Sequence, residues 1–245
     1  MKKILFVVAL LGFFVFSASA GFNANVFGGY TTVSMKIFND NLQLSYDSMG
    51  TPPPGYVKKL TKLTQGFLVG GEVGYSPMPG LSIGPRVEYI GVLTGGVEAT
   101  QASTGYYYKV QFTNYLLPIM VGSTYVVALP ELPISVGGGV YMGYGIAGGG
   151  YKISVNTGTT NSAEISFGGG TFVTDLNLNA NMDIGPVKGG LLLGYRIANV
   201  AEMKATKSNV DMGIKEGDLI QDPDGKAMAF DYSGFVVGLN FSMGF

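Results

Sequence analysis

The chain of 245 residues contains no cysteine, no histidine and no tryptophan. Without cysteine there is no disulfide framework, no thiolate metal site and no N-terminal thiol to carry a lipid. Without histidine, Ser-His and Asp-His catalytic arrangements and imidazole ligands are excluded. Charge is scarce as well: charged side chains make up 13% of the residues, about half the ordinary share. Beyond the first twenty residues no apolar run approaches the ~18 positions that mark a membrane-spanning helix. Yet 47% of the residues are apolar, 39 are glycine, and the mean hydropathy is +0.30. Such a chain is too apolar for an ordinary water-soluble domain and too interrupted for a helical membrane protein.

The first twenty residues carry an export signal. Lys2 and Lys3 precede the apolar run Ile4 to Phe16, and Ala18-Ser19-Ala20 supplies a small-x-small cleavage pattern. Residues 1–20 are therefore read as a signal peptide and 21–245 as the mature domain. Cleavage leaves 13 basic side chains against 16 acidic ones, a net charge of −3. That is too mild to favour nucleic acid or another polyanion.

The mature chain alternates. Its last stretch, "GFVVGLNFSMGF", places Phe235, Val237, Leu239, Phe241, Met243 and Phe245 on one face and mostly small or polar residues on the other. In the sixth such run Phe172, Leu176, Leu178, Met182 and Ile184 alternate with Asp175, Asn177, Asn179, Asn181 and Asp183. Three connections are short and rich in proline or glycine: Ser76 to Gly80, Leu129 to Pro133 and Ile184 to Val187. Four are longer and more polar: Met35 to Gln65, Thr100 to Tyr106, Asn156 to Gly169 and Met203 to Ala227. A phase change near Asn114 reads as a β-bulge in the fourth strand.

This punctuation predicts an all-β fold, an antiparallel up-and-down transmembrane β-barrel of eight strands with both chain ends at the short-turn side. Ten strands are the alternative, because "NLQLSY" (Asn41 to Tyr46) alternates inside the first long loop. A soluble sandwich would need a Lys/Glu-dressed outer surface, which is missing. The third to sixth runs are about twice the ~9–11 residues a transmembrane strand requires, so a β-wall should project beyond the membrane.

The signal peptide, the alternating strands and the ending "GLNFSMGF" resemble the small eight-stranded outer-membrane barrels of the OmpA, OmpX and OmpW type. "NYLLPIMVGSTYVV" (Asn114 to Val127) followed by "VGGGVYMGYG" is similar to their barrel domains. The resemblance implies residence in the outer membrane among lipid and lipopolysaccharide. It also implies a C-terminal signal for the barrel assembly machinery at Gly238, Phe241, Met243 and Phe245.

Equal distances from the turns place Glu72 beside Arg86 and Asp175 opposite Arg196, with Glu88 and Asp183 nearby on the same polar face. Eight strands enclose a lumen just wide enough for side chains. These six charges therefore read either as a paired plug or as the lining of a narrow ion path. "DPDG" (Asp222 to Gly225) is a fragment of a calcium-loop pattern and reads as an acidic turn. The first and last long loops should meet at the outer surface, as a sealing cap or as a recognition surface. The expectation is a monomeric, non-catalytic barrel without cofactor or metal, acting structurally or through its loops. A small porin-like conduit and, against the lack of histidine, a lipid-modifying enzyme are the alternatives. No wall-anchoring domain is expected.

Overall fold

A computed structural model describes residues 21–49, 55–222 and 225–244. Residues 1–20, expected as a signal peptide, and Phe245 lie outside the described residues. The elements are β1 (Phe22–Thr32), α1 (Lys36–Ser48), β2 (Tyr56–Thr61), β3 (Gln65–Met78), β4 (Leu81–Gln101), β5 (Tyr106–Ala128), β6 (Ile134–Asn156), β7 (Thr160–Ile184), β8 (Val187–Ile197), β9 (Asn199–Val200), β10 (Lys204–Ala205), β11 (Phe230–Asp231) and β12 (Gly234–Gly244). Antiparallel pairing runs from β1 through β3, β4, β5, β6, β7, β8 and β12. β12 then pairs back onto β1, with Val26 opposite Phe241, and closes an eight-stranded ring. Closure removes every sheet edge from the ring, which is the condition for crossing a membrane with strands.

The outer face is an apolar band. One aromatic from each strand of the ring marks its upper border: Tyr30, Phe67, Tyr89, Tyr115, Tyr144, Phe172, Tyr195 and Phe235. Phe67 and Tyr89 centroids lie 6.0 Å apart, Tyr89 and Tyr115 5.9 Å, and Tyr195 and Phe235 5.0 Å. Amphipathic rings at this level match the headgroup girdle of membrane barrels. Below it, exposed Val140, Met142, Leu176, Leu178, Leu193 and Leu239 cover the outside. The inside at the same depth carries Asn177, Asn181 and Asn240, all buried. Water cannot supply an apolar outside and a polar inside; lipid does. By the same logic the short turns at 79–80, 129–133 and 185–186 face the periplasm.

β4 to β7 are 21, 23, 23 and 25 residues long and continue past the aromatic ring. There the pattern inverts. In β5 the outward positions Tyr115, Ile119 and Val121 give way to Thr113, Gln111 and Lys109, while inward Val110 and Phe112 become apolar. In β7 outward Phe172 and Leu176 give way to Ser166 and Glu164, and inward Ile165 and Phe167 are buried. The phase change near Asn114 is this inversion and not a bulge in β5: pairing of β5 with β6 is unbroken from Tyr107–Asn156 to Ala128–Ser135. The irregularity sits on β4, where two residues, Leu93 and Thr94, oppose the single Thr113. Lipid attracts the apolar face below the headgroups, and a packed interior attracts it above them. A period-2 reading detects the switch without knowing which side is which.

The inversion also explains the loop expected at Asn156 to Gly169. Thr160 to Gly169 are strand, and only residues 157–159 connect β6 to β7. Nor does the first long loop supply two further barrel strands. Asn41 to Tyr46 lie within α1, whose Phe38 and Leu42 are buried one turn apart, with Tyr46 and Met49 packed along the same side. Leu44, which fits the alternation, is 58% exposed. β2 instead extends the wall above β3, pairing with β4 from Thr61–Gly96 to Tyr56–Gln101. β10 does the same above β8, with Lys204 opposite Gly168 of β7.

Candidate functional site

Two features stand out inside the barrel: a charged layer across the lumen and a packed cap above it. Register places Glu72 opposite Arg86, and Asp175 opposite Arg196. The side chains then re-pair around Glu88. Arg86 Nε donates to Glu88 Oε1 at 2.7 Å, and Arg86 Nη2 lies 2.6 Å from the same oxygen. Arg196 Nη2 donates to Glu88 Oε2 at 2.5 Å and to Asp175 Oδ2 at 3.1 Å. Arg86 is 4.0 Å from Asp175. Glu72 lies within hydrogen-bonding reach of the Tyr141 hydroxyl. The Arg86 guanidinium stacks between the rings of Phe27, at 4.1 Å, and Tyr141, at 4.6 Å.

All five charged residues are buried, Arg196 completely. Three carboxyls thus face two guanidiniums, with Glu88 bridging both cations. Counting from the turns could pair strands but could not show which carboxylate each arginine reaches, because two inward positions on one strand compete. Asp183 is a correction. It lies at the periplasmic mouth, 3.6 Å from Lys188, with a side chain 64% exposed, and is no part of the buried cluster. It is simply nearer the turn, where the lumen opens to water.

Below the charged layer a polar vestibule of about 620 Å³ opens to the periplasm, lined by Asn177, Asn179, Asn181 and Asn240 among others. Asn240 Nδ2 donates to Asn181 Oδ1 at 2.8 Å. Above the layer Ile90, Leu116 and Val173 are fully buried and fill the lumen. At the periplasmic end, Phe241 of the expected assembly signal faces lipid at 47% exposure. A Cβ on Gly238 would fall 2.5 Å from the Gly28 carbonyl oxygen, so β1 and β12 approach too closely there for a side chain. Met243 pairs with Ala24 near the end of β12.

The cap is a hydrophobic core outside the membrane. The rings of Phe38 and Phe112 meet edge-on at 4.6 Å, Phe38 and Phe230 lie 5.1 Å apart, and Phe167 and Phe230 stack at 5.3 Å. The chain leaving β1 bonds the chain entering β12, Ser34 N donating to Ser233 O at 3.0 Å and Met35 N to Asp231 O at 3.1 Å. Leu42 of the first long loop and Ile220 of the last line one cavity. Asn39 ties α1 to the chain after β2 through two bonds, Nδ2 to Leu63 O and Leu63 N to Oδ1, both 2.8 Å. Tyr232 donates its hydroxyl to Tyr115 O at 3.1 Å, and burial pushes that hydroxyl's pKa up, keeping it a donor. The sequence reading missed this core. The signal for it was the odd-position pair Ile165 and Phe167, out of phase with the lipid face that begins at Phe172.

Among the described residues no group of three or more acidic, histidine or cysteine side chains could hold a metal ion. Part of "DPDG" lies outside the described residues, and Asp222 Oδ1 accepts from Lys226 N at 2.9 Å in a local turn.

No family model matches the chain, and no curated protein matches it. Among solved structures it is similar to the outer membrane protein OprG from Pseudomonas aeruginosa, with 11% identity over 94% of this chain and 98% of that one, TM-score 0.43. It is also similar to Neisserial surface protein A (12% identity, 94% and 100% covered, TM-score 0.38). A third is Ail, the attachment invasion locus protein of Yersinia pestis (10%, 92% and 100%, 0.38). The assignment itself rests on the ring and its belt: a closed, even-numbered barrel with an apolar outer band, a polar lumen and aromatic girdles is an outer-membrane β-barrel.

Proposed function

We propose that this outer-membrane barrel is closed to passage, has no catalytic activity and works through its folded extracellular cap. The observation that carries the reading is the Arg86–Glu88–Arg196–Asp175 network lying across the lumen beneath fully buried Ile90, Leu116 and Val173. Eight strands leave little room beside such a layer. A cap with its own aromatic core supports a surface-interaction role better than a pair of solvated loops would. The proposal includes a monomer embedded in outer-membrane lipid and lipopolysaccharide, no nucleic-acid partner, no cofactor, and insertion by the barrel assembly machinery through the C-terminal strand.

Single-channel recording in a planar bilayer tests it, on protein whose folding is verified by the mobility shift that intact barrels show on heating. The wild type should be silent, and the Arg86→Ala/Arg196→Ala double variant should either conduct or lose stability. Reproducible steps from the wild type would move the protein to the small-conduit class. A double variant as stable and silent as the wild type would remove the plug from the argument.

A further inference from the structure

The outermost part of the cap contains a half-open cavity of about 950 Å³. Its floor is the aromatic layer of Phe38, Phe112 and Tyr151, with Phe112 and Tyr151 stacked at 5.4 Å. Val97, Val110 and Ile153 line it from the β-wall, Leu42 from α1, and Ile220 and Met228 from the last loop. The volume lies within the ~300–1,000 Å³ of small-molecule sites, which are apolar with a few placed polar groups.

Polar groups line it on more than one side: Asn41, Ser45 and Ser48 from α1, Lys58 from β2, Tyr108 from β5, and Gln221 and Asp222 from the last loop. Asn41, Ser45 and Ser48 are spaced i, i+4 and i+7 along α1, so they form one stripe facing the cavity. Ser45 Oγ donates to Asn41 O and Ser48 Oγ to Ser45 O, so both hydroxyls already have acceptors for their protons. The side-chain amide Nδ2 of Asn41 is different: it is buried and has no partner. A buried donor without an acceptor is costly, and a ligand oxygen would satisfy it. The aliphatic part of the lining is Val97, Val110 and Ile153 on the β-wall, and Met49 and Met228 give the cavity an adaptable edge. The extracellular inversion of the strands therefore does more than fill a core, since its outermost inward residues stay unfilled.

We propose that this cavity binds one small, freely diffusing amphiphile, its apolar body against the β-wall and an acceptor-bearing polar end on Asn41. The inference rests on the reading that the cap is the working surface. The test uses the full mature chain in lipid nanodiscs with a diazirine-bearing long-chain fatty acid. After photolysis, adducts are mapped by peptide mass spectrometry. Adducts should concentrate on α1 and the last loop, and unlabelled fatty acid should compete them away.

Ala99→Phe, which places a ring in the cavity, should lower cap labelling at least tenfold while the heat-dependent mobility shift is kept. Asn41→Leu, which removes the donor and keeps the bulk, should lower it severalfold. Adducts confined to lipid-facing residues such as Leu178 and Phe235, or cap adducts indifferent to Ala99→Phe, would overturn the proposal. A photoactivatable phospholipid that labels the cap where the fatty acid does not would assign the cavity to membrane lipid and overturn it also. Conductance reads the closed-barrel proposal separately. A silent barrel without cap labelling sinks the ligand alone, and a conducting barrel sinks the other reading.

Discussion

Replacing Arg196 by methionine should be the most damaging single change to the lumen. Arg196 is fully buried and touches Glu88 at 2.5 Å and Asp175 at 3.1 Å. Methionine keeps much of the volume, so the effect is electrostatic. Three carboxyls would then share one guanidinium, and removing one partner of a buried ion network costs about 3–5 kcal/mol. At ~1.4 kcal/mol per tenfold, the folded-to-unfolded equilibrium constant drops by two to more than three decades. Glu72→Gln is the counterpart. It removes the carboxyl in excess of the two guanidiniums and keeps an amide near Tyr141, so stability should change by less than about 1 kcal/mol. Adding Glu88→Gln to Arg196→Met should recover part of the loss, because the two groups are coupled directly. Urea titration of lipid-refolded protein, followed by tyrosine fluorescence and the mobility shift, measures all three. An Arg196→Met barrel within 1 kcal/mol of wild type, or a Glu72→Gln barrel as weak as Arg196→Met, would refute the bridging scheme.

Three further outcomes follow from the same structure. Asp183→Asn should cost under about 0.5 kcal/mol and respond little to mutation of Lys188, since that pair is solvent-exposed; the same urea titration decides. Phe38→Ala removes a side chain 2% exposed at the centre of the cap aromatics and should cost about 3–5 kcal/mol of cap stability. Proteases should then cut between residues 33 and 64 while the barrel keeps its mobility shift. Leu178→Arg, in the lipid-facing band, should destabilise the barrel by about 2–4 kcal/mol, whereas Thr113→Arg, outward but above the aromatic ring, should be nearly neutral. Equal penalties at the two positions would place the membrane border elsewhere.

How much of the molecule was legible beforehand depends on the range of the interaction. Strand number, the register that sets Glu72 opposite Arg86, and the Asp175–Arg196 pair followed from alternation and from counting away from short turns. Both are local rules of the chain. Glu88 as the bridge was not legible, since it depends on how an arginine from β8 reaches across the lumen to a carboxylate on β4. Asp183 and the bulge were misplaced for a related reason. Pattern alone gives the parity of a strand and not its depth, and it marks a change of apolar face without saying whether backbone or surroundings changed.

Export, the avoidance of histidine chemistry, the alternation of an eight-stranded ring and its aromatic punctuation are written in residue identity, because each depends on one residue or its near neighbours. The cap was decided by tertiary structure. Phe38, Phe112, Phe167 and Phe230 come from four separate stretches of chain and meet only when the ring closes and brings the first and last loops together. Closure also turns one alternating pattern into two opposite outcomes: lipid takes the apolar face below the girdle, and the protein's own core takes it above.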